Sequence, residues 1–324
     1  MQSVQCQDTP TARAFCSTPP ASLTKTSPVR TCIIFNPIAR GARARRFRHH
    51  LDSVGEHCVL KQTTHAGGAR ALAAEAVGEG FETIVAAGGD GTLNEVLNGI
   101  GDAPDGFDRA RLGVLPLGTV NVFAKELGMP GQWKKSMTIL LAGKEKTIDL
   151  PQVEYAGAEK RERRYFAQLA GTGLDARAIA LADFNLKKKI GPLAYVWAGV
   201  LAMFAPKSEI VVTINGQTLN AALVLVGNGR FYGGKYRLFP QADMRDGALD
   251  VCVFPKANWF TLIRSTGMFV LRLDLPRGVA RRIRAETFTL SSPQRSPVEV
   301  DGENIGHLPA TFSVQKQRLR IVVP

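Results

Sequence analysis

From residue 31 to about residue 141, short apolar runs alternate with stretches whose apolar positions recur every three or four residues. The runs 31–35, 57–62, 83–87 and 112–116 predict strands, and the stretches 42–53, 68–77 and 92–100 predict helices. In the last of these, Leu93, Val96, Leu97 and Ile100 share one face. Strand and helix in strict alternation predict parallel strands with crossover helices, a sheet that takes its ligands at the carboxyl ends of the strands.

Beyond about residue 143 the pattern changes. Strand-like runs at 164–170, 209–214, 221–227, 248–254, 288–291 and 319–323 dominate, and helical periodicity returns only near 174–182, 193–204 and 258–273. This half reads as a mostly antiparallel β domain with inserted helices. Residues 1–29, rich in Thr, Ser, Pro, Gln and Ala, lack periodicity and the apolar centre of a secretory signal, and are expected to form a mobile leader outside the fold. Residues 190–206 form the longest apolar stretch, but Gly191 and Pro192 interrupt it and lysines flank it, which predicts a buried or interfacial helix rather than a spanning one.

Composition adds little to the fold and something to the partner. A chain of 324 residues with 45% hydrophobic and 21% charged residues has material for two domains. Its formal net charge of +13 favours an anionic partner: nucleic acid, a nucleotide or an anionic membrane surface. No basic stretch is interleaved with aromatic residues, which argues against nucleic acid. The five cysteines have no paired metal spacing, and Cys32, Cys58 and Cys252 sit in apolar runs, as buried thiols of a reducing, cytoplasmic compartment would.

The candidate chemistry gathers at the ends of the predicted parallel strands. Gly88, Gly89, Asp90, Gly91 and Thr92 follow the third strand and open a helix. Glycines let backbone N–H groups approach a polyanion, and the helix presents its positive dipole end to the same point. Asp90 could hold a metal ion or its bound water, and Thr92 offers a hydroxyl. Asn36 with Pro37, Arg40 and Gly41 follows the first strand, Thr63 to Gly68 the second, and Leu117, Gly118, Thr119, Val120 and Asn121 the fourth. Any one of these could be an ordinary turn; together they predict a ligand edge. Neither a G-x-x-x-x-G-K-[ST] loop nor a G-x-G-x-x-G after a strand is present, and the five histidines show no zinc spacing.

Read in order, Gly88-Gly89-Asp90-Gly91-Thr92 with Asn94-Glu95-Val96, then Pro116-Leu117-Gly118-Thr119 and Asn121, then Gly171 to Ala176, Asn228 to Gly234, Asp246 to Val251 and Val300-Asp301-Gly302-Glu303, the chain resembles the diacylglycerol kinase catalytic-domain family, in particular the bacterial YegS-like lipid kinases. The resemblance implies an N-terminal α/β domain with a parallel sheet, residues 30–143, for nucleotide binding. It also implies a C-terminal β-sandwich with inserted helices, residues 144–324, for the lipid, a cleft between the two, and a last strand that could return to the first domain. It implies ATP-dependent phosphorylation of a lipid hydroxyl, with Thr63, the segment Gly88, Gly89, Asp90, Gly91, Thr92, Leu93 and Asn94, and Thr119 on ATP. The same resemblance puts Mg²⁺ on the Asp246 carboxylate and the main-chain oxygens of Asp243 and Ala248, and makes Glu303 the proton acceptor. Val122 departs from the Asp that many members carry after the Asn of the fourth loop.

Asp301-Gly302 and the pair Asp243 and Asp246 also have a plainer reading as turn residues. Arginines crowd 40–48 and again 272–284, the second group, Arg277, Arg281 and Arg282 among them, following an apolar helix, and a peripheral docking face on an anionic membrane is one expectation for them. A small-molecule kinase of the NAD kinase type and a non-catalytic lipid or nucleotide sensor are the competing readings, and the sequence leaves room for a homodimer.

Overall fold

The computed structural model describes residues 30–37, 42–51, 58–157, 160–173, 209–232, 234, 236–256 and 278–324. In the first half, β1 (Thr31–Phe35), β2 (Val59–Gln62), β3 (Thr83–Gly88) and β4 (Arg111–Pro116) alternate with helices Ala42–Arg48, Gly68–Gly78 and Asp90–Asp102. All pair in parallel in the order β2, β1, β3, β4, with Ile33 opposite both Leu60 and Val85 and Ile84 opposite Leu112. Every residue of β1, β3 and β4 is buried, as a parallel sheet covered on both faces requires. The helices Gly68–Gly78 and Asp90–Asp102 lie close because Gly99 has no side chain: a Cβ there would run into the Arg70 carbonyl.

The second half is antiparallel, as expected. It comprises β5 (Glu145–Ala156), β6 (Arg161–Tyr165), β7 (Leu169–Gly173), β8 (Ile210–Ile214), β9 (Gln217–Ala221), β10 (Leu223–Gly227), β11 (Phe231–Tyr232), β12 (Tyr236–Arg237), β13 (Leu249–Phe254), β14 (Arg281–Ala285), β15 (Thr287–Ser291), β16 (Pro297–Val300) and β17 (Glu303–Val322). β17 is the member that joins everything. Over its 20 residues it pairs with β16, β15 and β5, and near its end Ile321 lies parallel to Leu112 of β4. The last strand therefore does return to the parallel sheet.

Two cores result. One lies between the parallel sheet and its helices and takes in Leu319, Ile321, Val322 and Val323 from the chain end. The other fills the β-sandwich around Phe288 and Phe312, whose rings stack at 5.1 Å. Cys32, Cys58 and Cys252 are buried and free, and burial pushes the thiols of Cys32 and Cys252 up to about 12, which leaves them unreactive.

Several elements differ from the sequence expectation. The run 164–170 is two strands, β6 and β7, broken where Ala167, Gln168 and Leu169 give their N–H groups to the Asp301 carboxylate instead of a ladder. The run 319–323 is only the tip of β17, whose earlier part carries Gly306, Pro309 and two register shifts that hide its strand pattern. Helices Val122–Glu126 and Trp133–Ala142 and strand β14 were not anticipated. The expected helices at 174–182, 193–204 and 258–273, and the leader at 1–29, lie outside the described residues. Among the described residues no helix is long and apolar enough to cross a membrane.

Candidate active site

The carboxyl ends of the parallel strands are tied to one another by their backbones. Asn36 N–H donates to the Ala87 carbonyl at 3.2 Å, Thr63 N–H to Phe35 at 2.9 Å, and Gly118 N–H to Gly88 at 3.0 Å. The loops after β3 and β4 touch through glycine: a Cβ on Gly118 would lie 2.6 Å from Gly89 Cα. Helix Asp90–Asp102 starts from Gly89 with no side-chain cap, so its first N–H groups keep free hydrogen-bonding capacity at this edge. Thr92 is buried under Gly88, where there is no room for a Cβ, and its Oγ1 accepts from Asn36 Nδ2 at 3.3 Å.

The expected site residues divide into those that face the edge and those that do not. Gly89, Asp90, Gly91 and Gly118 are partly exposed there, and Thr119 is exposed. Leu93 points into the core, and its N–H is already given to the Gly89 carbonyl at 3.0 Å. Asn94 is wholly buried, and its side chain reaches the second half of the chain: Nδ2 donates to the Tyr165 carbonyl at 3.1 Å and to Asp301 Oδ2 at 2.9 Å. Glu95 caps the neighbouring helix by accepting from Gly67 and Ala69 N–H at 3.0 and 2.9 Å. Asp90 Oδ1 faces the start of helix Val122–Glu126 and accepts from Phe123 N–H at 3.4 Å. Burial raises the Asp90 carboxyl to about 6, with the Asp301 charge adding, while the N–H groups of Phe123 and Val122 pull it down.

Glu303 comes to the same place from the other end of the chain. β16 and β17 form a hairpin through Asp301 and Gly302, both left-handed at φ 48° and 87°, with Val300 opposite Glu303. That turn aims the Glu303 side chain at the glycine segment: Oε1 lies 2.9 Å from where a Cβ on Gly91 would be. Its other oxygen, Oε2, accepts from Arg164 Nη2 at 3.2 Å. Burial raises its proton affinity, Arg164 lowers it, and Glu95 and Asp301 raise it further.

Sequence reasoning missed the polar frame under this pair. Asn98, one turn along from Asn94, donates to Asn94 Oδ1 and the Tyr165 carbonyl and accepts from Tyr165 N–H, all within 3.1 Å. Asp301 accepts from Asn94 and from three consecutive backbone N–H groups at 2.8–3.1 Å. Two asparagines four residues apart on an otherwise apolar helix face were the available signal. Glu126, its side chain 3% exposed, accepts from Arg230 Nε at 2.7 Å and from the N–H groups of Arg230 and Phe231. The Asn-Gly-Arg segment thus docks on the helix that Asp90 caps.

Asp243, Asp246 and Ala248 share a turn entering β13. Asp246 Oδ1 accepts from Ala248 N–H at 3.1 Å, its Oδ2 pairs with Arg284, and Asp243 Oδ1 accepts from Arg245 N–H. The turn is held from beneath by Asp149, which accepts from Gly247 and Gln317 N–H at 2.7 Å. Among the described residues no cluster of three His, Cys, Asp or Glu side chains could hold a metal. A carboxylate with two carbonyl oxygens is nonetheless a donor set of the hard type that Mg²⁺ takes, provided Asp246 gives up Arg284.

The described members of the second arginine group are part of the sheet. Arg281, Arg282 and Arg284 lie on β14, at the end of the strand path, where Arg281 reaches Gln217 Oε1 and Arg282 the Leu238 carbonyl. Charged side chains on such a strand oppose edge-to-edge pairing. Arg277 lies outside the described residues, as do Arg40 and Gly41, whereas Arg43, Arg45, Arg46 and Arg48 are exposed on helix Ala42–Arg48.

Comparison with known proteins agrees with this arrangement. Residues 30–153 match the family model of the diacylglycerol kinase catalytic domain, and residues 168–323 that of the YegS C-terminal NAD kinase beta sandwich-like domain. A diacylglycerol kinase of Staphylococcus carnosus (strain TM300) is 30% identical over 305 residues, 91% of this chain and 95% of that protein. That of Bacillus subtilis (strain 168) is 30% identical over 307 residues, with 91% and 96% covered. In fold, the crystal structure of a diacylglycerol kinase from Bacillus anthracis str. Sterne superposes with a TM-score of 0.69 at 19% identity, covering 93% of this chain and 98% of that one. A second structure from the same organism gives 0.73 at 22% identity, covering 93% and 99%.

Proposed function

The chain belongs to the diacylglycerol kinase catalytic-domain family, and we propose that it transfers the γ-phosphate of ATP to the hydroxyl of diacylglycerol or a related lipid. Residues 30–143 form the nucleotide-binding part in this reading, and residues 144–324 the part that meets the lipid. The observation that carries it is the approach of Glu303 Oε1 to Gly91, which sets a carboxylate oxygen against the uncapped start of a helix.

Phosphoryl transfer asks the protein for positioning and charge compensation more than for covalent chemistry. Backbone N–H groups of Gly88 to Gly91 hold the phosphates of ATP, and Gly89 and Gly118 let the polyanion approach the backbone closely. Asn36, Thr63 and Thr119 complete the nucleotide edge. The lipid oxygen attacks the γ-phosphorus, the bond from the γ-phosphorus to the β–γ bridging oxygen breaks, ADP departs, and the hydroxyl proton passes to Glu303 Oε1. Asp90, with its raised proton affinity, stands beside this path and faces the phosphates. Asp246, with the main-chain oxygens of Asp243 and Ala248, would hold Mg²⁺, which supplies positive charge to an otherwise anionic assembly. The acceptor lies in a bilayer, so the protein works as a cytoplasmic enzyme that visits an anionic membrane surface, aided by its net charge of +13.

The test is a lipid panel with purified protein, ATP and Mg²⁺, products identified by mass. Diacylglycerol, monoacylglycerol, a sphingoid base, ceramide and phosphatidylglycerol each present a hydroxyl, and one phosphorylated product is expected. Phosphorylation of NAD with no lipid product would overturn the proposal in favour of a small-molecule kinase, and absence of any product would leave a binding protein.

A further inference from the structure

We propose that Arg164 is a positioning residue for phosphoryl transfer: it orients Glu303 so that Oε1 faces the glycine turn. The inference rests on the reading of Glu303 as proton acceptor and deepens it.

The geometry is a chain of fixed choices. Asn94 Nδ2 is committed to the Tyr165 carbonyl and to Asp301, so the carboxamide can turn only its Oδ1 toward Arg164. Arg164 Nε donates to that Oδ1 at 2.9 Å, which sets the plane of the guanidinium. Arg164 Nη2 then meets Glu303 Oε2 at 3.2 Å, leaving Oε1 as the oxygen turned to Gly91. A guanidinium can serve two acceptors at fixed angles in this way, and an ammonium cannot. The Arg164 side chain is 15% exposed and that of Glu303 39%, so solvent screens part of the attraction and the geometry of the fork carries the contact.

Arg164 is also the favourable charge in an acidic neighbourhood. The charged groups facing Glu303 are Arg164 from β6, Glu95 from helix Asp90–Asp102 and Asp301 from the hairpin turn, two acids against one cation. Without the cation the carboxylate would hold its proton to higher pH and would be a poorer acceptor at neutral pH.

The experiment measures kcat, KM for ATP and the pH profile of kcat for wild type, Arg164→Met, Arg164→Lys and Glu303→Gln, with the acceptor lipid that wild type uses best. Arg164→Met is expected to lose roughly tenfold to a hundredfold in kcat at pH 7, part of what a positioned base contributes, with KM for ATP within about twofold of wild type. The acid limb of its profile should move to higher pH. Arg164→Lys keeps the charge and loses the fork, so its acid limb should stay in place while kcat falls. If Arg164→Met does not fold, Arg164→Lys decides alone: a kcat equal to wild type, or a loss confined to KM for ATP, overturns the proposal. An Arg164→Met enzyme that folds and keeps the wild-type acid limb overturns it as well. An active Glu303→Gln enzyme removes the underlying reading and this inference with it, whereas an inactive one beside an unmoved Arg164→Met profile removes the inference alone.

Discussion

Glu303 Oε1 lies 2.9 Å from the point where Gly91 would carry a Cβ, so the start of the last strand and the start of a helix from the first half of the chain share one small gap. The contact is made by the free end of a flexible side chain. It can therefore yield without disturbing either backbone, and that separates its cost to activity from its cost to stability.

Gly91→Ala should show this separation. Gly91 lies in the first turn of a helix with ordinary backbone angles, where Ala is as good or better by up to about 1 kcal/mol. The methyl group displaces the Glu303 carboxylate. Thermal unfolding should be unchanged or slightly raised, and kcat should fall at least about tenfold. A variant that is destabilised and fully active would contradict the placement of Glu303.

Glu303→Gln removes the proposed proton acceptor with almost no change in shape. The fold should be retained by circular dichroism, and kcat should fall by about a hundredfold to ten-thousandfold. In the wild type, burial raises the proton affinity of Glu303, so the acid limb of the activity profile should lie above the usual glutamate range.

Asp90 gives a stability signature with a definite sign. Its carboxyl titrates at about 6 in the folded chain against an ordinary value of 3.8, so the fold prefers it protonated. Below about pH 4 it is protonated whether folded or not and costs nothing. As pH rises through 4 to 6 the wild type loses stability relative to a neutral side chain. Asp90→Asn should therefore be more stable by on the order of 1–3 kcal/mol above pH 6, a gain that vanishes below about pH 4, and it should be less active. Melting curves across pH 4–8 check it.

Asp301 carries the frame of the hairpin. Its replacement by Ala leaves three backbone N–H groups and Asn94 without their acceptor and puts an ordinary side chain into a left-handed turn. A loss of roughly 3–5 kcal/mol is expected in urea unfolding. Asp301→Asn, which keeps one acceptor and tolerates the turn, should lose less.

The turn at Asp243 to Ala248 can be tested for Mg²⁺ without an activity assay. Free Mg²⁺ at ten times its dissociation constant should stabilise wild type by about 1.4 kcal/mol. Asp246→Asn, which leaves Arg284 to Asp250, should not respond. Equal responses would place the ion elsewhere.

What could be read from sequence follows from the range of the forces involved. β1, β3 and β4 were legible because a fully buried parallel strand leaves a short, nearly continuous apolar run. The glycine turn was legible because close backbone approach restricts residue type. β17 was obscured because it serves several partners in succession and changes register between them. Glu303 was reached only through family resemblance. Arg164, Asn98 and Glu126 were invisible because their partners lie far away in the chain, and a lone polar residue carries no mark of its future neighbour. The Asn94 side chain is held by the Tyr165 carbonyl and by Asp301 of the hairpin, partners that sequence alone did not suggest.

β17 also sets limits on motion. A swinging joint needs backbone that can rotate, and here both β17 and β5 run from one core into the other, laced together along most of their length, with β17 paired to β4 at its tip. The two cores should accordingly heat-denature as one cooperative unit. On the proposed reading, substrates should reach the gap between Gly91 and Glu303 past the loops at its mouth and not through an opening of the halves.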